Sequence, residues 1–518
     1  MGHPPVPLSV PLRAARSGLP MSNFSWIDGS IVGVYLLVTM VAGMSVRKYI
    51  GKVEHFLVAG REMDVYLGVA SLAATEFGIV TCMSASELGY KHGFAGATTG
   101  IIYALAMFLV GWTGFCVKPL RDSGVITIAE LFEKKFGPRI RWWSGVVIVL
   151  GGLLNMGVFL RTGGEFLVTV CGLNNENLEI TMTVLLVGVA AYTIVGGMLS
   201  VLVTDYLQFI VMSVGLLAVT FLMLATIPWD TLVSAVHDRH GDGGFNPFIN
   251  EDLGWSYIVF NCLLQLAAVL TWQTTIARLL AAKDTKTGQR VYTRTAFFFV
   301  CQFLIPGVWG IAALATLAPG VVPADNAAQA MPLLLSTTVP IGLMGLLVAA
   351  MLAADMSTDS SYMLTWASVI YNDLLAPFRK TSWSERRGLF WNRTIVALIG
   401  VFLLIYGLWY KIQGGIWTYL TVTGTIYLSS MSTLLIACCY WKRANNWGAA
   451  GAILAGAFFP LAYLVMEQID GTRELARWIG PNYSGIAAYV GAATAMIVGS
   501  LVKPQPKQDI SRGVDHGR

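Results

Sequence analysis

The chain has 518 residues, of which 55% are hydrophobic and 12% charged, with a net charge of +5. A soluble domain carries about 25% charged residues, so this composition excludes a soluble protein and specifies an all-α integral membrane protein. The apolar runs are about 20 residues or longer, enough to span the hydrocarbon as helix, and do not alternate as barrel strands would.

Residues 1–26 read as a disordered amino-terminal tail rich in proline, with Met21 as an alternative start. Residues 27–502 form the transmembrane domain, and 503–518 a cytoplasmic tail. Within the domain, hydropathy predicts about thirteen spans. They lie near 27–46, 66–89, 96–117, 142–169, 179–197, 200–226, 255–280, 293–318, 341–372, 389–410, 415–440, 447–467 and 483–502. Lysine and arginine cluster after the first span (Arg47, Lys48, Lys52, Arg61) and after the third (Lys118, Arg121, Lys134, Lys135, Arg139, Arg141). They recur around Arg278, Lys283, Lys286, Arg290 and Arg294, then at Arg379, Lys380, Arg386 and Arg387, and at Lys442 and Arg443. Positive loops face the cytoplasm, which places the amino end outside and the carboxyl end inside a cell membrane. The net charge belongs to these loops and requires no nucleic-acid partner.

In the second span, Ala74-Thr75-Glu76-Phe77-Gly78 puts a carboxylate and a glycine near the membrane centre. Glycine permits a break, and a broken span exposes carbonyls that coordinate an ion. The competing interpretation is a kinked packing helix. The loop 119–141 mixes apolar and basic residues and reads either as a short interfacial helix or as a linker. In the fourth span, Arg161 and Glu165 at i, i+4 form an internal ion pair or hold a substrate carboxylate. In the sixth, Asp205 follows the Gly196-Gly197 turn and faces either a cation or a helix-start dipole.

The ninth span, GLLVAAMLAADMSTDSSYMLTWASVIYND, organises the rest. Ala354, Ser357, Thr358 and Ser361 share one helical face, and Asp355, Asp359 and Tyr362 line the next. Polar groups at this depth cost several kcal/mol against lipid. A row of hydroxyl oxygens suits a hard cation such as Na+; the alternative is hydroxyls bonded back to their own helix.

Enzyme signatures are absent. All six histidines fall in tails or loops, no HExxH or GxxxxGK[ST] exists, and the seven cysteines form no CxxC pair. Ion-driven transport is therefore favoured over hydrolysis, and a channel lacks a filter motif. A solute receptor would need a signalling domain longer than the tail 503–518.

Six pieces in order carry a resemblance. They are FLVAGRE at 56–62, GVITIAELFEKKFG, YTIVGGMLSVLVTDYLQ at 192–208, ARLLAAKD at 277–284, LAADMSTDSS, and WKRANNWGAAGAILAG at 441–456. Together they resemble the solute:sodium symporter family. That resemblance implies a leucine-transporter-like core of two inverted five-helix repeats, about 66–226 and 255–440, with a single chain as the functional unit. It implies a first sodium site from Ala74, Phe77, Ala354, Ser357 and Thr358, and a second from Asp205, Ser360 and Ser361. Positions corresponding to the solute site are Glu76, Thr81, Gly100, Tyr103, Ala268 and Thr421. Most sugar-binding groups of the family are missing there. With Arg161 near the cavity, the expectation is a small carboxylate-bearing solute: an amino acid, a monocarboxylate or an acidic sugar. The alternatives are a proton-coupled symporter or exchanger of the same fold and a sodium/sugar symporter.

Overall fold

A computed structural model describes residues 22–46, 52–323, 326–375, 378, 383–410, 412 and 415–503. The chain up to residue 21, the tail from 504, and Arg47, Lys48, Arg379 and Lys380 of the charge pattern lie outside these. The described residues are helical and contain no strand, only an isolated bridge between Met63 and Ala282. Lipid dictates this outcome, because a helix pairs its own backbone groups where no water can. Eleven helical stretches among the described residues are long and apolar enough to cross a membrane. The expected thirteen are not matched one for one. Part of the second expected span joins the third in Ile79–Thr113, and the fifth joins the sixth in Leu178–Thr226.

The helices that matter for the site are α1 (Trp26–Ser45), α2 (Val65–Glu76), α3 (Ile79–His92), α4 (Thr98–Thr113), α5 (Ile128–Phe136), α6 (Pro138–Met156), α7 (Phe159–Val170) and α8 (Leu178–Thr226). They continue with α9 (Gly254–Thr271), α10 (Gln273–Ala281), α11 (Thr285–Thr316), α12 (Leu343–Val369), α13 (Glu385–Trp409), α14 (Ile416–Tyr440), α15 (Asn446–Gln468) and α16 (Arg473–Val502). The loop 119–141 does contain a helix, α5, whose Ile128, Leu131, Phe132 and Phe136 are buried while Thr127 caps its start.

Helix α12 is the axis of the molecule. Its membrane-spanning window is 89% buried, against 22% for α1 and 33% for α15 and α16. A span enclosed by protein can hold polar side chains that a lipid-facing span cannot. It packs on α8, α1, α2 and α6. Near its start, Asp28 of α1 accepts the backbone N–H of Gly342 and of Gly345, each at 2.7 Å. Its far end is held by Asp373, which accepts Arg141 Nε at 2.7 Å and the Thr127 hydroxyl at 2.9 Å.

Two interruptions shape the interior. Between α2 and α3 the chain leaves helical geometry at Phe77 (φ −102°, ψ 52°) and Gly78. Between α9 and α10 it does so at Trp272 (φ −64°, ψ 121°). A third sharp turn lies within α8 at Gly197, whose φ of 50° and ψ of −151° suit only glycine. A Cβ there would also approach the Phe56 ring to 2.5 Å.

Candidate functional site

The break after α2 faces the polar side of α12. Thr358 Oγ1 donates to the Thr75 carbonyl at 2.8 Å, and to Ala354 O of its own helix at 2.9 Å. The bond to Ala354 O is the back-bond to its own helix that the sequence allowed as the alternative. Gly78 allows the approach, since a Cβ on it would lie 2.7 Å from Thr358 Oγ1. Ala74, Ser357 and Thr358 are all buried, and Phe77 N reaches back to Ala74 O at 3.4 Å. The Thr75 carbonyl at the interruption and the Thr358 hydroxyl of α12 thus meet in a buried region. Uncharged oxygens converging at membrane depth are the donor set that replaces the hydration shell of a hard alkali cation.

One turn away lies an ion pair that sequence reasoning missed. Arg278 Nη2 reaches Asp205 Oδ2 at 3.1 Å, and both side chains have 0% exposure. The same guanidinium donates to Thr75 Oγ1 at 2.7 Å and to Ser361 Oγ, while its Nε donates to Ser71 Oγ at 3.1 Å. Asp205 also accepts Ser357 Oγ at 2.6 Å and Ser71 Oγ. Arg278 was counted among the basic residues at a membrane surface; its burial corrects that. The missing clue was the break at Trp272, which carries no glycine or proline to announce it. Asp205 is not a helix-start acid either, for it lies two turns past Gly197. Of the residues implied for a second sodium site, Asp205 and Ser361 meet around Arg278, whereas Ser360 Oγ bonds to Ser357 O at 3.2 Å on its own helix.

Beside the break opens a small cavity of about 90 Å³. Of the positions expected for the solute site, Glu76, Thr81, Tyr103, Ala268 and Thr421 line it, while Gly100 does not. Arg161 does not. Its Nε pairs with Glu165 at 2.9 Å and its Nη1 donates to Gly407 O at 3.1 Å, so it fastens α7 to α13. No lysine or arginine lines the cavity.

Aromatic residues make up a third of its wall. Trp272 Nε1 donates to the Tyr362 hydroxyl at 2.9 Å, and Tyr362 packs on Phe159 at 5.2 Å between centroids. Phe303 meets Trp417 edge to face at 5.2 Å. Asn155 is occupied by Leu420 O and the Thr423 hydroxyl, whereas Gln265 Nε2 is buried without a partner. Glu76 accepts the Thr274 hydroxyl from α10. Aromatic residues dispersed over five helices and the break at Trp272 give no local pattern, which is why Phe159, Trp272 and Trp417 were not singled out.

Asp355 and Asp359 are also fully buried, on the face of α12 toward α7, where Gly163 leaves room for the Asp355 carboxyl.

Comparison with known proteins agrees with this architecture. The family model described as the sodium:solute symporter family matches residues 56–456. The chain is 24% identical over 487 residues to sodium/glucose cotransporter 4 of Danio rerio, covering 86% of this chain and 72% of that one. It is likewise 24% identical to the sodium/myo-inositol cotransporter of Canis lupus familiaris over 539 residues, covering 93% and 74%. A Na+-coupled sialic acid symporter, solved substrate-bound and outward-open, superposes with a TM-score of 0.79 at 17% identity. That match covers 94% of this chain and all of the other.

Proposed function

Since the chain belongs to the sodium:solute symporter family, we propose that its sodium ion binds where the α2–α3 break meets α12 and that its solute binds in the aromatic cavity alongside. The protein is a multi-pass sodium-coupled symporter with a leucine-transporter-like fold and no enzymatic activity. The sodium ligands of this reading are the carbonyls of Ala74, Phe77 and Ala354 and the hydroxyls of Ser357 and Thr358. The observation that supports it is the direct contact of Thr358 Oγ1 with the carbonyl of Thr75, which brings the hydroxyl face of α12 against the break. Asp205 already has a cation in Arg278, so this reading puts the coupling ion at the break rather than at Asp205.

Transport then follows as alternating access. Sodium joins the broken helix to α12, the solute seats against Glu76 of that same broken helix, and the two repeats (66–226 and 255–440) rock about the site. Each repeat contains one of the two broken helices, α2–α3 and α9–α10, which fits their pairing. With the amino end outside and a single chain as the unit, an inside-negative potential drives inward movement by about 2.3 kcal/mol per charge per 100 mV.

The carboxylate-bearing solute rested on Arg161. That residue is outside the cavity, so the geometry favours a neutral or cationic solute over an anion. The relatives are named for glucose and myo-inositol, which keeps a polyol as the second reading. The test is uptake into proteoliposomes. Thr358→Ala removes one ligand, and a hydrogen bond or contact to a charged group contributes about 1.5–3 kcal/mol. The half-saturating sodium concentration should therefore rise about tenfold or more. An unchanged sodium curve would remove the break from the ion site.

A further inference from the structure

The cavity has a single charged residue in its wall, Glu76, and that residue is 7% exposed. No ion pair among the described residues includes it. Arg278 lies close enough to act on it electrostatically but directs its donors elsewhere: Nε and Nη2 to Asp205, Ser71, Thr75 and Ser361, and Nη1 to the Thr274 carbonyl. A carboxylate at membrane depth without a fixed cation is expensive, and such groups mark the passage of a charged species.

The rest of the wall has the chemistry to receive one. Tyr103, Phe159, Trp272, Phe303, Tyr362 and Trp417 all border the cavity. Aromatic faces attract ammonium groups through the ring quadrupole, most strongly where water is excluded, and cages of such rings recognise quaternary ammonium ligands. A second feature fixes the other end of the ligand. Gln265 is 2% exposed, lines the cavity, and its Nε2 has no hydrogen-bond partner. A buried donor left unpaired calls for an acceptor on the ligand.

We infer that the solute is a small organic ammonium compound, either a cation or a zwitterion: an ammonium head held by Glu76 among the aromatic rings, with a hydroxyl or carboxylate oxygen accepting from Gln265. This rests on the cavity being the solute site of a sodium-coupled symporter, and it adds the solute's charge. A free anion would meet the Glu76 carboxylate with no compensating base, and a neutral polyol would leave that charge uncancelled.

The test is sodium-dependent binding and uptake by the full chain in proteoliposomes with four probes. Choline carries a cationic head with a hydroxyl and glycine betaine a cationic head with a carboxylate, while myo-inositol is a neutral polyol and lactate an anion. Choline or betaine should bind at least tenfold more tightly than myo-inositol and lactate, and comparing the two ammonium probes reports which oxygen Gln265 meets. Glu76→Gln should abolish that preference, and Gln265→Leu should weaken the favoured ammonium probe about tenfold. Retained stabilisation by sodium in each variant shows that it is folded. The inference is overturned if myo-inositol or lactate binds as tightly as the better-bound of choline and betaine, if neither ammonium probe binds, or if Glu76→Gln keeps the preference. Loss of sodium dependence for every probe would instead strike the symport reading itself.

Discussion

Breaking the Asp205–Arg278 pair is the sharpest perturbation the interior offers. Both side chains have 0% exposure at a separation of 3.1 Å. Removing one partner of a buried pair leaves an uncompensated charge and costs about 3–5 kcal/mol. Asp205→Asn strands the guanidinium, and Arg278→Leu strands the carboxylate. Both also disturb the shared hydroxyls of Ser71, Ser357 and Ser361. The double variant removes both charges, so its loss should be well below the sum of the singles. The coupling should reach about 2–3 kcal/mol, at the upper end for interacting neighbours. Detergent-induced unfolding of the four purified proteins, followed by tryptophan fluorescence, measures that cycle. Additive losses, with coupling below about 0.5 kcal/mol, would refute the claim that these two charges exist for each other.

Other outcomes follow from single contacts. Gly78→Ala places a methyl 2.7 Å from Thr358 Oγ1, and overpacking of this kind costs about 1–3 kcal/mol; it should raise the half-saturating sodium concentration in uptake assays by about tenfold. Arg161→Ala should leave the half-saturating solute concentration within about twofold, because a partly exposed pair outside the cavity contributes only about 0–1 kcal/mol; a tenfold rise would return Arg161 to the solute site. Gly197→Ala should lower thermal stability, since its φ of 50° and the adjacent Phe56 ring both resist a side chain.

Some of this interior was legible in the amino-acid order and some was not, for identifiable reasons. The hydroxyl face of α12 follows from the 3.6-residue period, and 354, 357, 358 and 361 do lie together toward α2 and α8. The break at 77–78 was signalled by Gly78, whose missing side chain is what lets Thr358 approach. The break at Trp272 carried no such signal, because its neighbours Thr271 and Gln273 are compatible with continuous helix. Arg278 was consequently read as a loop residue, although its side chain is fully buried. Arg161 and Glu165 show the opposite error: their spacing was right for a pair, and the pair is present, but nothing in a one-dimensional spacing reveals which way α7 faces. The cavity wall was least legible of all. Rings contributed singly by α4, α7, α11, α12 and α14 and by the break at Trp272 look in sequence like ordinary core.

The central claim is that freed backbone at 74–77 and hydroxyls at 357–358 close around an alkali ion inside the bilayer. The most direct measurement is the thermal midpoint of the purified protein titrated with NaCl against KCl of equal ionic strength. A bound ion stabilises by RT ln(1 + [L]/Kd), so sodium should raise the midpoint saturably while potassium does not, and the Ser357→Ala/Thr358→Ala double variant should lose that response. An equal shift in potassium, or a double variant that responds to sodium as the parent does, would contradict it.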